Sequence, residues 1–168
     1  MANTLVAYFS RADENYFNGK LEYIDIGNTQ KLAEIIVSKT NADVFKIEME
    51  KPYSKKYQKC IDEAKADQKQ NARPKLIAMP ESIEKYDTIY LGFPNYWGTM
   101  PMAVFTFLES FDFSNKIIKP FCTHEGSGMG RSQIDLKNIV PTAKIENSIA
   151  IHGSEVDNAK EEILNWIK

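Results

Sequence analysis

The chain has 168 residues, 43% hydrophobic and 26% charged, with a formal charge of −2. Its length predicts one domain over residues 1–168 with interior enough to need no staple. Two cysteines, Cys60 and Cys122, exclude a disulfide scaffold and point to a reducing, cytoplasmic setting. No apolar run approaches the ~20 residues of a membrane span. The opening MANTLVAYFSRADEN lacks a signal peptide's basic start and cleavage site. Mild acidity gives no electrostatic reason to bind nucleic acid or a membrane. The small net charge conceals a split, however. Residues 51–75 hold seven Lys and one Arg against three acidic residues, a local +5, while the remaining 13 basic and 20 acidic residues carry −7.

In chain order, the apolar run Leu5 to Phe9 predicts a strand buried on both faces. A long polar loop follows from Ser10 to Gly27, of a length more often functional than connective. Asn28 or Thr29 is placed to cap a helix striped by Leu32, Ala33, Ile35, Ile36 and Val37. The second strand, Asp43 to Met49, alternates Phe45, Ile47 and Met49 with Val44, Lys46 and Glu48, which suits an edge. The basic segment reads as a helix from about Ser54 to Asn71, weakly amphipathic through Tyr57, Cys60, Ile61 and Ala64. The third strand, Thr88 to Phe93, is nearly all apolar and so central. Pro101 suits the first turn of the next helix, which runs to about Ser110. The fourth strand, Ile117 to Thr123, contains Pro120, which removes a ladder donor and belongs at an edge or bulge. A short helix near Ser132 to Asn138 and a fifth strand, Ile145 to Ile151, come next. Ser154 with Asp157 forms a capping box for a last helix striped by Val156, Ala159, Ile163, Trp166 and Ile167. Strands alternating with helices predict an α/β fold: a parallel sheet covered on both faces, with ligands beyond the carboxyl ends of the strands.

Three loops lie at those ends. After strand one, Ser10 and Gly27-Asn28-Thr29 bring hydroxyls and free N–H groups to a helix start, an anion site suited to phosphate or simply a cap. After strand three, Pro94-Asn95-Tyr96-Trp97-Gly98 presents two adjacent aromatics that cannot both be core, so one suits stacking on a flat ligand or covering a neighbouring helix. After strand four, Thr123-His124-Glu125-Gly126-Ser127-Gly128 lets backbone approach a ligand closely. Named alternatives fail there. A dinucleotide fingerprint needs glycine where Arg131 stands, and a nucleophile elbow needs glycine where Glu125 stands. The order Ser127, Asp135, His152 mimics a hydrolase triad, in a chain short for that fold. His124 and His152 have no spaced partners for a metal.

VAYFS, GNT opening helix one, LGFPNYWGTMP and PFCTHEGSGMG together resemble the flavodoxin-like FMN proteins over almost the whole chain. The resemblance implies a doubly wound three-layer sandwich with a five-stranded parallel sheet of order 2-1-3-4-5 and one FMN at the strand tops. By position, Ser10, Gly27, Asn28 and Thr29 take the phosphate. Pro94, Asn95, Tyr96, Trp97 and Gly98 line the isoalloxazine, with Trp97 stacking, and Thr123, His124, Gly126 and Gly128 face its pyrimidine edge. In flavodoxins a glycine peptide beside the stacking aromatic turns its carbonyl toward the flavin N5, and Gly98 occupies that place. The insertion Arg11 to Ile26 departs from the family's compact phosphate loop.

Two functions follow from the resemblance: a carrier of one or two electrons between redox partner proteins, or an FMN-dependent NAD(P)H oxidoreductase for quinones or similar acceptors. The acidic body favours the carrier. Lys55, Lys56 and Lys59 offer a dinucleotide phosphate site, although a charge run is usually a solvated face. A receiver-type regulatory domain needs an Asp where Pro94-Asn95 stands.

Overall fold

The computed structural model describes residues 3–17 and 19–168. The chain opens with β1 (Thr4–Tyr8), apolar and buried on both faces. Where an open loop is expected, the next segment folds into an antiparallel hairpin outside the main sheet, β2 (Asp13–Phe17) and β3 (Lys20–Ile24). There follow α1 (Asn28–Thr40), β4 (Asp43–Lys46), α2 (Tyr57–Lys69), β5 (Thr88–Pro94), α3 (Met102–Glu109), β6 (Ile117–His124) and α4 (Ser132–Ile139). The chain ends with β7 (Lys144–Ile145), β8 (Ile149–His152), a 3-10 turn over Gly153–Asn158, and α5 (Lys160–Ile167).

The main sheet runs β4-β1-β5-β6, with β7 and β8 sharing the fifth position, and every pairing is parallel. Counting its strands alone, this is the expected order 2-1-3-4-5. The fifth strand is not continuous, and Pro120 explains the break. Successive residues of β6 face alternate neighbours: Ile117 N–H bonds to Asp87 on the β5 side, whereas the Ile118 carbonyl accepts from Glu146 on the other. The N–H that Pro120 lacks would therefore point at the fifth strand. There β7 ends opposite Ile118 and β8 resumes opposite Phe121, so the gap falls where no donor exists. β4 sits at the other edge. Phe45, Ile47 and Met49 turn inward while Val44 is exposed, and the Phe45 ring stacks on Phe107 at 5.6 Å.

Two apolar layers flank the sheet. One face packs Val6, Tyr8, Tyr90 and Phe121 against Leu32, Ala33 and Ile36 of α1 and Ile163 of α5. The opposite face packs Leu5, Ala7, Ile89, Leu91 and Phe93 against Ala103, Phe107 and Leu108 of α3 and Leu136 of α4. Helix ends depart from expectation in two places. Asn28 and Thr29 lie inside α1, and its cap position is Gly27. The Ser154–Asp157 box does not form, because His152 caps the 3-10 turn by accepting the Ser154 N–H at 3.2 Å, and Asp157 reaches Lys31 Nζ at 3.1 Å.

Candidate functional site

The carboxyl ends of β1, β5 and β6 converge on a pocket of about 450 Å³, within the range of small-molecule and cofactor sites. The hairpin supplies Arg11, Asn15 and Tyr16 to its wall, and the start of α1 supplies Asn28 and Thr29. Tyr57, Cys60, Ile61 and Ala64 come from α2, Pro94 to Gly98 from the loop after β5, and Thr123, His124, Glu125 and Ser127 from the loop after β6.

At one end the pocket meets the N-terminus of α1, whose first amides have no acceptor within the helix. Ser10 Oγ, just beyond β1, accepts from the Gln30 N–H at 3.0 Å and does the work of a cap. Thr29 and Thr123 join hydroxyls at 2.8 Å, tying α1 to β6. Gly27 is fixed by close approach, since a Cβ there would stand 2.2 Å from Ser10 Oγ and 2.6 Å from the Arg11 carbonyl. Asn28 Oδ1 is buried with no hydrogen-bond partner. Buried polar atoms rarely stay unpaired, so a donor-bearing ligand fits this end.

At the other end the chain makes a tight turn. Tyr96 and Thr99 bond to each other, N–H to carbonyl, at 2.8 and 3.3 Å, while Trp97 and Gly98 between them both have positive φ, 54° and 89°. A left-handed tryptophan is costly and persists only when its surroundings hold it. Here the Trp97 indole N–H donates to the Ile61 carbonyl at 2.8 Å, and Lys65 Nζ stands 4.6 Å from the ring centroid. Trp97 is thus both a lid packed on α2 and, 42% exposed, part of the pocket wall. The Tyr96 hydroxyl is buried without a hydrogen-bond partner, and burial, with the Cys60 thiol beside it, drives its pKa well up. Burial also raises Cys60, against the pull of Arg11, and pushes Cys122 up to about 12.

A set of polar contacts stitches the loops after β5 and β6. The Asn95 amide donates to the Gly128 carbonyl at 2.8 Å and accepts from the Gly98 N–H at 2.9 Å. Arg131 N–H donates to the Gly98 carbonyl at 2.7 Å, and Thr99 Oγ1 donates to Asp135 at 2.5 Å. Two of the expected wall residues are engaged within the protein by this arrangement. The Asn95 amide is occupied by protein on both sides, so it positions the loop. The Gly98 carbonyl accepts from the Arg131 N–H and is backed so closely by Gly130 that a Cβ there would lie 2.2 Å from it.

Nine of the residues singled out from sequence border the pocket: Asn28, Thr29, Pro94, Asn95, Tyr96, Trp97, Gly98, Thr123 and His124. Ser10, Gly27, Gly126 and Gly128 stand behind it. Gly126 N–H donates to His124 Nδ1 at 2.9 Å, and the Gly128 carbonyl receives Asn95. Sequence reasoning expects the Arg11 to Ile26 insertion to fold back over the site and leaves open whether Tyr57 flanks it; the structure makes pocket walls of both the hairpin and α2. Tyr57, Cys60, Ile61 and Ala64 were legible as an apolar stripe but not as one facing the pocket. The hairpin's signal is the Asn-Gly dipeptide at 18–19. Arg11 is spent on structure, donating to the carbonyls of Glu14, Ser54 and Lys55, the last two at 2.9 Å. Among the described residues no cluster of His, Cys, Asp and Glu is placed to hold a metal ion, and no helix is long and apolar enough to cross a membrane.

Fold and pocket together define a doubly wound α/β protein of the nucleotide-binding kind, with its site beyond the strand ends. The flavodoxin family model matches residues 3–168, and the chain belongs to that family. It is similar to a protein of Bacteroides uniformis assigned as a flavoprotein, at 26% identity with a TM-score of 0.78, covering 99% of this chain and 97% of that one. A Bacteroides eggerthii counterpart shares 23% identity with a TM-score of 0.72, covering 96% and 97%. A Lactobacillus acidophilus flavoprotein, solved in complex with FMN, shares 20% with a TM-score of 0.67, covering 94% and 98%. No curated protein sequence matches the chain.

Proposed function

We propose that this chain is an FMN-bearing electron carrier that exchanges electrons with redox partner proteins. Membership of the flavodoxin family makes FMN its cofactor. The observation that carries the reading is the pocket's polarity: a helix N-terminus whose first amides lack acceptors within the helix at one end, and a held aromatic wall at the other. Bound FMN supplies the one- and two-electron chemistry, and the protein tunes it. In this reading Ser10, Gly27, Asn28 and Thr29 form the phosphate socket, with Ser10 and Gly27 shaping it from behind. Pro94, Tyr96, Trp97 and Gly98 enclose the ring with Tyr57 opposite, and Asn95 keeps that wall in place. Thr123, His124 and Ser127 meet the polar edge, while Gly126 and Gly128 shape the loop that presents them. The acidic charge outside residues 51–75 favours a partner with a basic docking face.

The test is direct. Protein purified under native conditions should be yellow and release FMN on denaturation, and apoprotein should quench added FMN fluorescence stoichiometrically. Colourless protein that leaves FMN fluorescence untouched overturns the reading. A second reading, an NAD(P)H oxidoreductase, is favoured by one contact: Lys65 brings a cation to the rim at Trp97. Rapid mixing of the loaded protein with NADPH separates the two, because bleaching within seconds supports the reductase and an unchanged spectrum the carrier.

A further inference from the structure

The hairpin exposes apolar side chains that walling the pocket does not require. Tyr16 pairs with Leu21 and Glu14 with Tyr23 across the ribbon, so these four side chains share one face. Over β2 that face is used: the Tyr16 ring lies 6.0 Å from Tyr57, and Glu14 accepts the Tyr57 N–H. Over β3 it is bare, with Leu21 53% and Tyr23 64% exposed, and Ile26 just beyond is 43% exposed. Apolar residues scattered singly over a surface need no explanation, but a group of them beside a pocket marks a contact surface.

Charge frames this surface unevenly. On the β3 side Glu22 and Asp25 are exposed, and no ion pair among the described residues includes them. Lys20 stands on the same strand nearer the turn, leaving that border net negative. On the β2 side the Lys55 carbonyl accepts the Glu14 N–H at 3.2 Å, which sets Lys55 and Lys56 along the ribbon's other border. Both lysines are exposed, and they too are absent from the ion pairs of the described residues. In α2, Glu63 accepts the Ser54 N–H at 2.7 Å and Asp67 the Tyr53 hydroxyl at 2.6 Å, so these carboxylates are engaged by neutral donors. An apolar strip thus has an acidic border on one side and a basic border on the other. A partner of uniform sign would be repelled along one of them. A second copy would not, because a two-fold contact lays each acidic border on the other copy's basic one.

We propose that the chain forms a two-fold dimer through the hairpin, with Leu21, Tyr23 and Ile26 at the centre and Glu22 and Asp25 of each copy against Lys55 and Lys56 of the other. The dimer needs no cofactor and goes beyond the carrier reading. Apolar burial at the centre supplies most of the affinity, while the bordering charges select the two-fold arrangement. Tyr16 lies on the same face of the ribbon and walls the pocket, so each copy steadies a pocket wall of the other.

The test is sedimentation of the full chain, with and without FMN, from low to high micromolar concentration. Wild type should be a dimer at the upper end. Leu21→Asp combined with Tyr23→Ser should weaken association about a hundredfold or more, with the unfolding midpoint kept because both side chains are exposed. Two further variants reverse the borders. Glu22→Lys with Asp25→Lys, and Lys55→Glu with Lys56→Glu, should each be monomeric alone, because like charges then meet across the axis. Mixed in equal amounts they should form a heterodimer, since every border again meets its opposite. That restoration requires both variants to be folded and arises from no other surface. A wild type that stays monomeric at high micromolar concentration overturns the proposal. So does a dimer that survives in the folded Leu21→Asp, Tyr23→Ser variant, or a pair of reversed variants that stay monomeric on mixing. The cofactor reading fails separately, through the absence of bound FMN.

Discussion

At the aromatic end of the pocket Asn95, Gly98, Thr99, Gly128, Arg131 and Asp135 satisfy one another through short hydrogen bonds. At the α1 end Asn28 Oδ1 is buried without a partner, and the first helical amides have no acceptor within the helix. The first wall is finished by the protein alone, at the expense of a left-handed Trp97 and three left-handed glycines, Gly98, Gly128 and Gly130. The second is finished by whatever binds. Preorganisation of one end lowers the ordering cost of binding, while the first amides of α1 at the other favour a ligand with the right anionic group. Damage to the aromatic end should therefore appear as lost stability of the apoprotein, and damage to the phosphate end as lost affinity.

The sharpest way to break this contrast is Gly27→Ala. Its Cβ would press on Ser10 Oγ and the Arg11 backbone, displacing the amides proposed to meet the phosphate. Losing one or two charge-assisted hydrogen bonds is worth about 3 kcal/mol, or roughly a hundredfold in FMN affinity, read by fluorescence titration. Riboflavin affinity should change far less. Next comes Gly130→Ala, where φ is 56° and the added methyl would meet the Gly98 carbonyl at 2.2 Å. Backbone strain and overpacking predict about 2–3 kcal/mol of lost stability in denaturant unfolding of the apoprotein. Asn95→Ala should cost about 1–2 kcal/mol by removing both stitches. If it lowers FMN affinity with no change in unfolding, the aromatic wall is not preformed and the comparison fails.

The smallest effect is a slope with pH. The folded pKa of His124 is depressed by burial and by His152, so the unfolded chain binds its proton more readily. This contribution to stability is present above the unfolded histidine pKa and is lost as pH falls through the folded one. Thermal unfolding of apoprotein should therefore show stability rising with pH through the histidine range, and His124→Gln should remove that rise.

The sheet was legible because its strands are apolar runs with no second interpretation: Leu5 to Tyr8 and Ile89 to Phe93 are buried on both faces and can only be central. Pro120 was legible as an anomaly, but its resolution required knowing which neighbour each residue of β6 faces. The aromatic and glycine loops were readable as sites because exposed Trp and clustered Gly are costly elsewhere. The hairpin was not, since β3 turns nearly every side chain to solvent and so carries no alternation between core and surface. The α2 wall was hidden for a different reason, because Tyr57, Cys60, Ile61 and Ala64 have the same periodicity whether they cover a core or a cofactor. The role of Asn95 depends on contacts between residues about 30 positions apart, which composition does not encode.

The insertion between β1 and α1 has a consequence of another kind. Arg11 grips the carbonyls of Ser54 and Lys55, and Glu14 accepts the Tyr57 N–H at 2.8 Å, supplying the first turn of α2 with an acceptor that its own flanking residues do not. The segment is therefore a brace that starts a helix more than forty residues away. Trimming residues 12–25 to the length of an ordinary loop would unseat that helix, and the side of the pocket it forms would go with it.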